Sequence, residues 1–349
     1  MNKYKRLYSN LLERRTDHTL GRVALSEAIQ KSHESESLRY LKASMEAVPT
    51  EYTEISFREA NRVKDALAKD LAEQGVGVEF DYQGSTTNNT HIKAKSDIDL
   101  LALRTEFFTL KPPLTPTYPY QGNPLQDLIG LRRAAIDILD RRFWAAEVGK
   151  DSPMCIPIEG GSLLRKVDVV PSNWYHTQEY QNTKDKSYLG IQVLDSSVPE
   201  RVVNFPFLHN QRLGEKDRVA MGRAKPLIRC LKNIIADNTE IKISSYNVAG
   251  LAYNLPNDRY ASGLILPEVK LLSSFVEYSR LWESSSALRG LAMVPNGTRH
   301  LFSDFHSDGI TVAQLSKLND YAEELLTEIQ EDTMPLTKFP TLAATLLGK

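Results

Sequence analysis

Three acidic residues set into apolar runs constrain this chain more than any other feature: SDIDLLALR carries Asp97 and Asp99, and LLRKVDVVP carries Asp168. Both runs read as strands, and a strand's period of two puts Asp97 and Asp99 on one face. Carboxylates that converge there repel each other and lose hydration, a cost best offset when a divalent cation binds between them. The expected ions are magnesium or manganese, two of them about 3.5–4 Å apart, with Asp97 and Asp99 bridging both. Asp168 would hold the ion that activates an attacking hydroxyl and would help remove its proton. An Asp-x-Asp taken alone equally fits a solvated strand end; what favours a site is its company.

That company is Gly84-Ser85, separated from Asp97 by eleven residues in YQGSTTNNTHIKAKSDIDLLAL. Gly84 permits close approach of backbone to a phosphate, and Ser85 offers an amide and a hydroxyl, so the turn can grip a triphosphate. A second glycine run, Gly160-Gly161-Ser162, fits a hairpin turn better than a phosphate cradle.

A helix is expected from an N-cap at Ser56 to Gly75, with Ala60, Val63, Leu67 and Leu71 on one face. Two strands follow, around 76–84 and 96–104, then a Pro-rich bridge, KPPLTPTYPYQGNP, and a second helix over 125–148. MCIPIEGGSLLRKVDVVP reads as a hairpin whose second strand, 163–170, ends at Pro171. Helical periodicity dominates after Asn204, over 215–237, 244–255, 267–282 and 312–331. The chain has 349 residues, and single cores stop growing at roughly 250–300. We therefore expect an α+β architecture of two lobes: residues 1–203 carrying N-terminal helices and the mixed sheet, and 204–349 a helical lobe, with the active site in the cleft between them.

A formal net charge of -1 supplies no global positive field to hold a long nucleic acid. The basic start lacks the apolar run of a signal peptide and no stretch approaches a membrane span, so a cytoplasmic location without membrane contact is expected. Cys155 and Cys230 are the only cysteines, too few for a disulfide framework or a structural zinc site.

Together, Gly84-Ser85, Asp97-Ile98-Asp99 and Asp168 resemble the signature of the polymerase-β nucleotidyltransferase superfamily. More narrowly, the chain resembles the cyclic GMP-AMP synthase/DncV-like nucleotidyltransferases (CD-NTases), relatives of oligoadenylate synthase used in bacterial anti-phage signalling. The helix before the Gly-Ser strand, the long interval to Asp168 and the series NFPFLHNQRLGEKDR, LIRCLKNIIAD and ISSYNVAGL carry that resemblance over residues 55–255. It implies that Lys232 contacts nucleotide phosphate and that Ser245 and Tyr246 contact phosphate and stack on a base. Independently, Arg218, Lys225, Arg229 and Lys232 are spaced to share a helical stripe, although Pro226 leaves Arg229 and Lys232 as the pair on one face. A solvated charged face and, for Tyr246, an ordinary core aromatic remain alternatives.

The function this implies is joining of NTPs into a cyclic di- or trinucleotide messenger with release of pyrophosphate. A separate effector protein would bind the product; an activating partner protein stays open, and no long nucleic acid is required. The alternative is transfer of one nucleotide to a tRNA or protein acceptor in a toxin-like system, using the same acids. A nucleotide-binding regulator without turnover is the non-enzyme reading, disfavoured by the complete acid set.

Overall fold

The chain is described from a computed structural model covering residues 3–16, 34–261 and 266–333. It divides into two units, one of 1–48, 90–93 and 212–349, the other of 49–89 and 94–211. This differs from the expected division at 203/204, because the first helices belong with the C-terminal ones. Helix α1 (Lys3–Arg15) and α2 (Glu36–Met45) bury Tyr4, Leu7, Leu11, Leu38 and Leu41 in one core with Leu227, Ile228 and Leu231 of α7 (Ala224–Asp237). Short amphipathic helices are marginal alone and are stabilised mainly by burying that apolar stripe. Polar ties fix the arrangement: Arg14 donates to Asn233 at 2.7 Å and ion-pairs with Asp237, which also accepts from the Tyr40 hydroxyl at 2.8 Å.

The other unit is built on a mixed sheet. Its strands are β1 (Val78–Gln83), β2 (Ile98–Leu110), β3 (Glu147–Val148), β4 (Ile156–Glu159), β5 (Val167–His176), β6 (Leu189–Asp195) and β7 (Glu200–Asn204). The order is β1-β2-β5-β4-β3, with β6 also pairing β5 and β7 pairing β6; β2 and β5 pair in parallel and the other described pairs of these strands are antiparallel. Along β2 the pleat separates two cores. Ile98, Leu100 and Ala102 pack with α3 (Thr50–Glu73) and α4 (Pro124–Arg142), while Leu101 and Leu103 pack with Val170, Ile191 and Val193. Asp99 is in phase with Leu101 and Asp168 with Val170, so both carboxylates stand on the sheet face away from α3 and α4.

Several boundaries differ from the sequence expectation. Helix α3 begins at Thr50 after Pro49, so Ser56 is not its cap: the buried Ser56 hydroxyl lies inside the helix, 3.4 Å from the Tyr52 carbonyl. Helix α4 stops at Arg142 and Val148 enters β3, where it pairs with Ile158. Strand β5 runs through Pro171 rather than ending there. Its antiparallel partner changes at that point, β4 pairing up to Val169 and β6 starting at Ser172, so an absent N–H breaks no ladder bond on that side. The 215–237 helix is two, α6 (Pro206–Val219) and α7, divided at Met221 (φ 54°) and Gly222 (φ 77°). That break separates Arg218 from Lys225, Arg229 and Lys232. The remaining helices are α5 (Gln178–Thr183), α8 (Ser245–Asn254), α9 (Pro267–Ser284), α10 (Ser286–Leu291) and α11 (Val312–Thr333). Among the described residues no helix is long and apolar enough to cross a membrane.

Candidate active site

The parallel register pairs Asp99 with Asp168 directly across β2 and β5, and the antiparallel register puts Gln83 on the other side of Asp99. Asp97 precedes β2 and is the more exposed acid, its side chain 51 % accessible against 14 % for Asp168. Gly84, next to Gln83, has φ 88°, and a Cβ added there would lie 2.2 Å from Asp99 Oδ2. The glycine is thus required by the Asp99 carboxylate beside it as well as by its left-handed backbone. Hydroxyls hold the turn: Thr87 donates to the Gly84 carbonyl at 2.7 Å, and Thr86 to the Asp97 carbonyl at 3.2 Å. Asn210 in turn donates to the Thr87 hydroxyl at 2.9 Å.

Lys166 holds the centre of the acid group. Its ammonium lies 3.0 Å from Asp97 Oδ2, 3.2 Å from Asp168 Oδ2 and 3.1 Å from Asp168 Oδ1. Burial, then the Asp168 and Asp97 charges, push the Asp99 carboxyl up to about 7, with Lys166 opposing. Asp168 is also raised, by burial first, against the pull of Lys166. For Lys166 itself burial works against the charge, but the two carboxylates more than compensate and hold it protonated. Asp168 Oδ1 is buried and has no hydrogen bond beside its ion pair with Lys166. Among the described residues no three His, Cys, Asp or Glu side chains are already gathered around a metal-sized centre.

Sequence reasoning singled out Asp97, Asp99, Asp168, Gly84 and Ser85; the structure brings Gly84 and the three acids together around the start of β2, and Ser85 follows Gly84 in the chain. It did not single out Lys166, although the same period of two places Lys166 in phase with Asp168. Thr86 and Thr87 were likewise passed over. Their signal was the hydroxyl run directly after a turn glycine, a pattern that bonds its own backbone.

The helical-unit residues are differently placed. Arg229 and Lys232 are both buried on α7; Arg229 Nε donates to the Met45 carbonyl at 2.8 Å and Lys232 Nζ to the Thr90 carbonyl at 2.9 Å. Burial lowers Arg229 to about 10 and, with Arg229 adding repulsion, Lys232 to about 8. Ser245 opens α8 and is exposed, beside the cap Ser244, which accepts from Asn247 N at 3.2 Å. Tyr246 is half-buried against the helical core with the Arg299 guanidinium 5.3 Å from its ring centre. The Gly160-Gly161-Ser162 run joins the antiparallel strands β4 and β5 and is tied down by Arg62, which donates to the Ser162 carbonyl at 2.8 Å and hydroxyl at 2.9 Å.

Residues 211–327 match the family model of the cGAS/DncV-like nucleotidyltransferase C-terminal helical domain. A cyclic dinucleotide synthase, CdnE, of Yersinia aleksiciae is 34% identical over 316 residues, spanning 87% of this chain and 80% of that protein. A c-di-GMP synthase of a Lachnospiraceae bacterium is 30% identical over 254 residues, spanning 65% and 72%. The solved structure of a STING-associated CdnE c-di-GMP synthase from Capnocytophaga granulosa superposes with a TM-score of 0.75 at 26% identity, covering 95% of this chain and 99% of that one.

Proposed function

This chain belongs to the cGAS/DncV-like nucleotidyltransferase family, a polymerase-β-like fold and an enzyme class, and from that premise we propose that it joins two nucleoside triphosphates into a cyclic dinucleotide. The observation that carries the proposal is the side-by-side placement of Asp99 and Asp168, with Gly84 closed against the Asp99 carboxylate. Relatives named as cyclic dinucleotide and c-di-GMP synthases favour a small-molecule product over a tRNA or protein acceptor.

The donor set fits a hard divalent cation. It consists of carboxylate oxygens only, one buried oxygen has the Lys166 ammonium as an ion-pair partner but no hydrogen bond, and burial first, then neighbouring acid charges, holds two of the acids above their ordinary range. Asp97, Asp99 and Asp168 would hold two magnesium or manganese ions, which supply charge neutralisation at the triphosphate and activation of the attacking hydroxyl. The Gly84-Ser85 turn presents backbone and a hydroxyl to the triphosphate. Asp168, whose basicity burial raises, is the group that accepts the proton of the attacking ribose hydroxyl. The bond formed joins that oxygen to the α-phosphorus; the bond broken releases pyrophosphate, and a second round closes the ring. Lys232, Arg229, Ser245 and Tyr246 are the proposed nucleotide contacts of the helical unit.

The enzyme would work in the cytoplasm as part of anti-phage defence, its product read by a separate effector, as the association of the Capnocytophaga granulosa relative with STING suggests. The test is incubation with labelled ATP, GTP, CTP and UTP, singly and together, with magnesium or manganese, followed by phosphatase. A phosphatase-resistant small product is expected. Label migrating with added RNA or with protein would overturn the cyclic-dinucleotide reading.

A further inference from the structure

Lys166 is the feature of the site that neither the signature nor the proposed reaction uses. Its backbone is fixed where β5 meets β2, the Ile98 N–H donating to its carbonyl at 3.4 Å. Two residues before Asp168, its side chain turns to the acid face, and its ammonium contacts Asp97 and Asp168 at 3.0–3.2 Å. From there the ammonium neutralises these two carboxylates, and a divalent ion held by both would compete with it for the same oxygens. The side chain is 29 % accessible, so an open path to solvent exists for the ammonium. A lysine stem has four rotatable carbons and can withdraw without moving the strand.

We propose that Lys166 is a resident counter-ion of the acid site, a positioning residue that holds Asp97 and Asp168 in place in the metal-free enzyme and is displaced when a divalent cation binds. The inference rests on the metal-dependent reading above. It makes Lys166 a competitor for the metal: its charge stabilises the empty site and opposes filling. A lysine that instead braces the acids in their metal-bound geometry would have the opposite effect on affinity.

The two roles separate in direct binding of Mn2+ to the full chain, followed by calorimetry and by the rise in thermal midpoint on adding the ion, without nucleotide. Lys166→Met keeps the stem and removes the charge; Lys166→Arg keeps the charge, and Asp99→Asn serves as the control with a crippled site. Competition predicts that Lys166→Met binds Mn2+ about ten-fold more tightly than wild type, has a lower midpoint without metal, and gains more on adding it. Lys166→Arg should stay near wild type. Equal or weaker binding by Lys166→Met, or a midpoint lowered equally with and without metal, overturns the proposal while leaving the metal site intact. If wild type and Lys166→Met both fail to bind Mn2+, the metal-dependent reading itself falls and this inference with it.

Discussion

The acids of the sheet unit and the cations of the helical unit were marked by similar sequence patterns, yet the structure leaves them in opposite conditions. On β2 and β5, Asp99 and Asp168 are held side by side, with burial first and neighbouring acid charges second raising both. On α7, Arg229 and Lys232 are buried too, but each donates to a main-chain carbonyl, of Met45 and Thr90 respectively. Burying charge is costly in both places; the helical unit offsets it with main-chain carbonyls, whereas among the described residues Lys166 is the cation that offsets the acids of the sheet unit. A group of like charges kept together against that cost is the mark of a site that awaits a ligand.

The largest expected effect separates the two regions outright. Asp99→Asn and Asp168→Asn should each lower turnover by about a thousand-fold or more, because charge stabilisation by bound metal is worth several kcal/mol in the transition state. Steady-state rates on the NTP mixture check this. If either variant retains turnover within ten-fold of wild type, the sheet unit has no stronger claim than the helical one.

Next comes the pH dependence of metal-free stability. The Asp99 carboxyl rises from 3.8 to about 7 on folding, so its contribution is fully present below the unfolded value and lost as pH climbs through the folded one. Between those limits wild type should lose on the order of 2–4 kcal/mol relative to Asp99→Asn. Urea unfolding of both proteins across that range measures the difference. Parallel curves would mean that Asp99 is not held protonated by its neighbours.

A smaller effect concerns the turn. Gly84→Ala places a methyl 2.2 Å from Asp99 Oδ2 at φ 88°. Unfolding free energy should fall by about 1–3 kcal/mol, read by chemical denaturation, with Mn2+ affinity falling alongside. An unchanged affinity would uncouple the turn from the acid.

The smallest effect lies in the helical unit. Tyr246→Leu removes the ring that faces Arg299 at 5.3 Å and should raise KM for NTP by about two- to ten-fold with kcat little changed. A change in kcat alone would move Tyr246 out of the nucleotide-binding set.

The contrast also shows what the sequence could reveal. A strand has a period of two, so the sequence could put Asp97 and Asp99 on one face and mark Asp168 as a further acid within an apolar run, whereas the pairing of Asp99 with Asp168 came from the β2–β5 register. Gly84 was legible as a turn glycine, but the closeness of Asp99 depended on β1–β2 register, which no local pattern encodes. Lys166 was readable by the same periodicity and was missed because attention stayed on the acids. Helix boundaries failed where tertiary context decides them. Val148 continues an apolar helical rhythm yet joins β3, Ser56 has cap chemistry yet lies inside α3, and Pro171 sits where β5 changes partner. The unit boundary failed for a related reason: α1 and α2 find their apolar partners on α7, more than 180 residues away, as the contact of Arg229 with Met45 shows.

The most direct test of the central claim is metal-dependent pyrophosphate release from mixed ATP, GTP, CTP and UTP by wild type and by Asp168→Asn, measured side by side with and without magnesium or manganese. The account predicts release by wild type only when metal is present, and about a thousand-fold less or lower still from Asp168→Asn. Equal release by the two proteins, or release by wild type without metal, would contradict it.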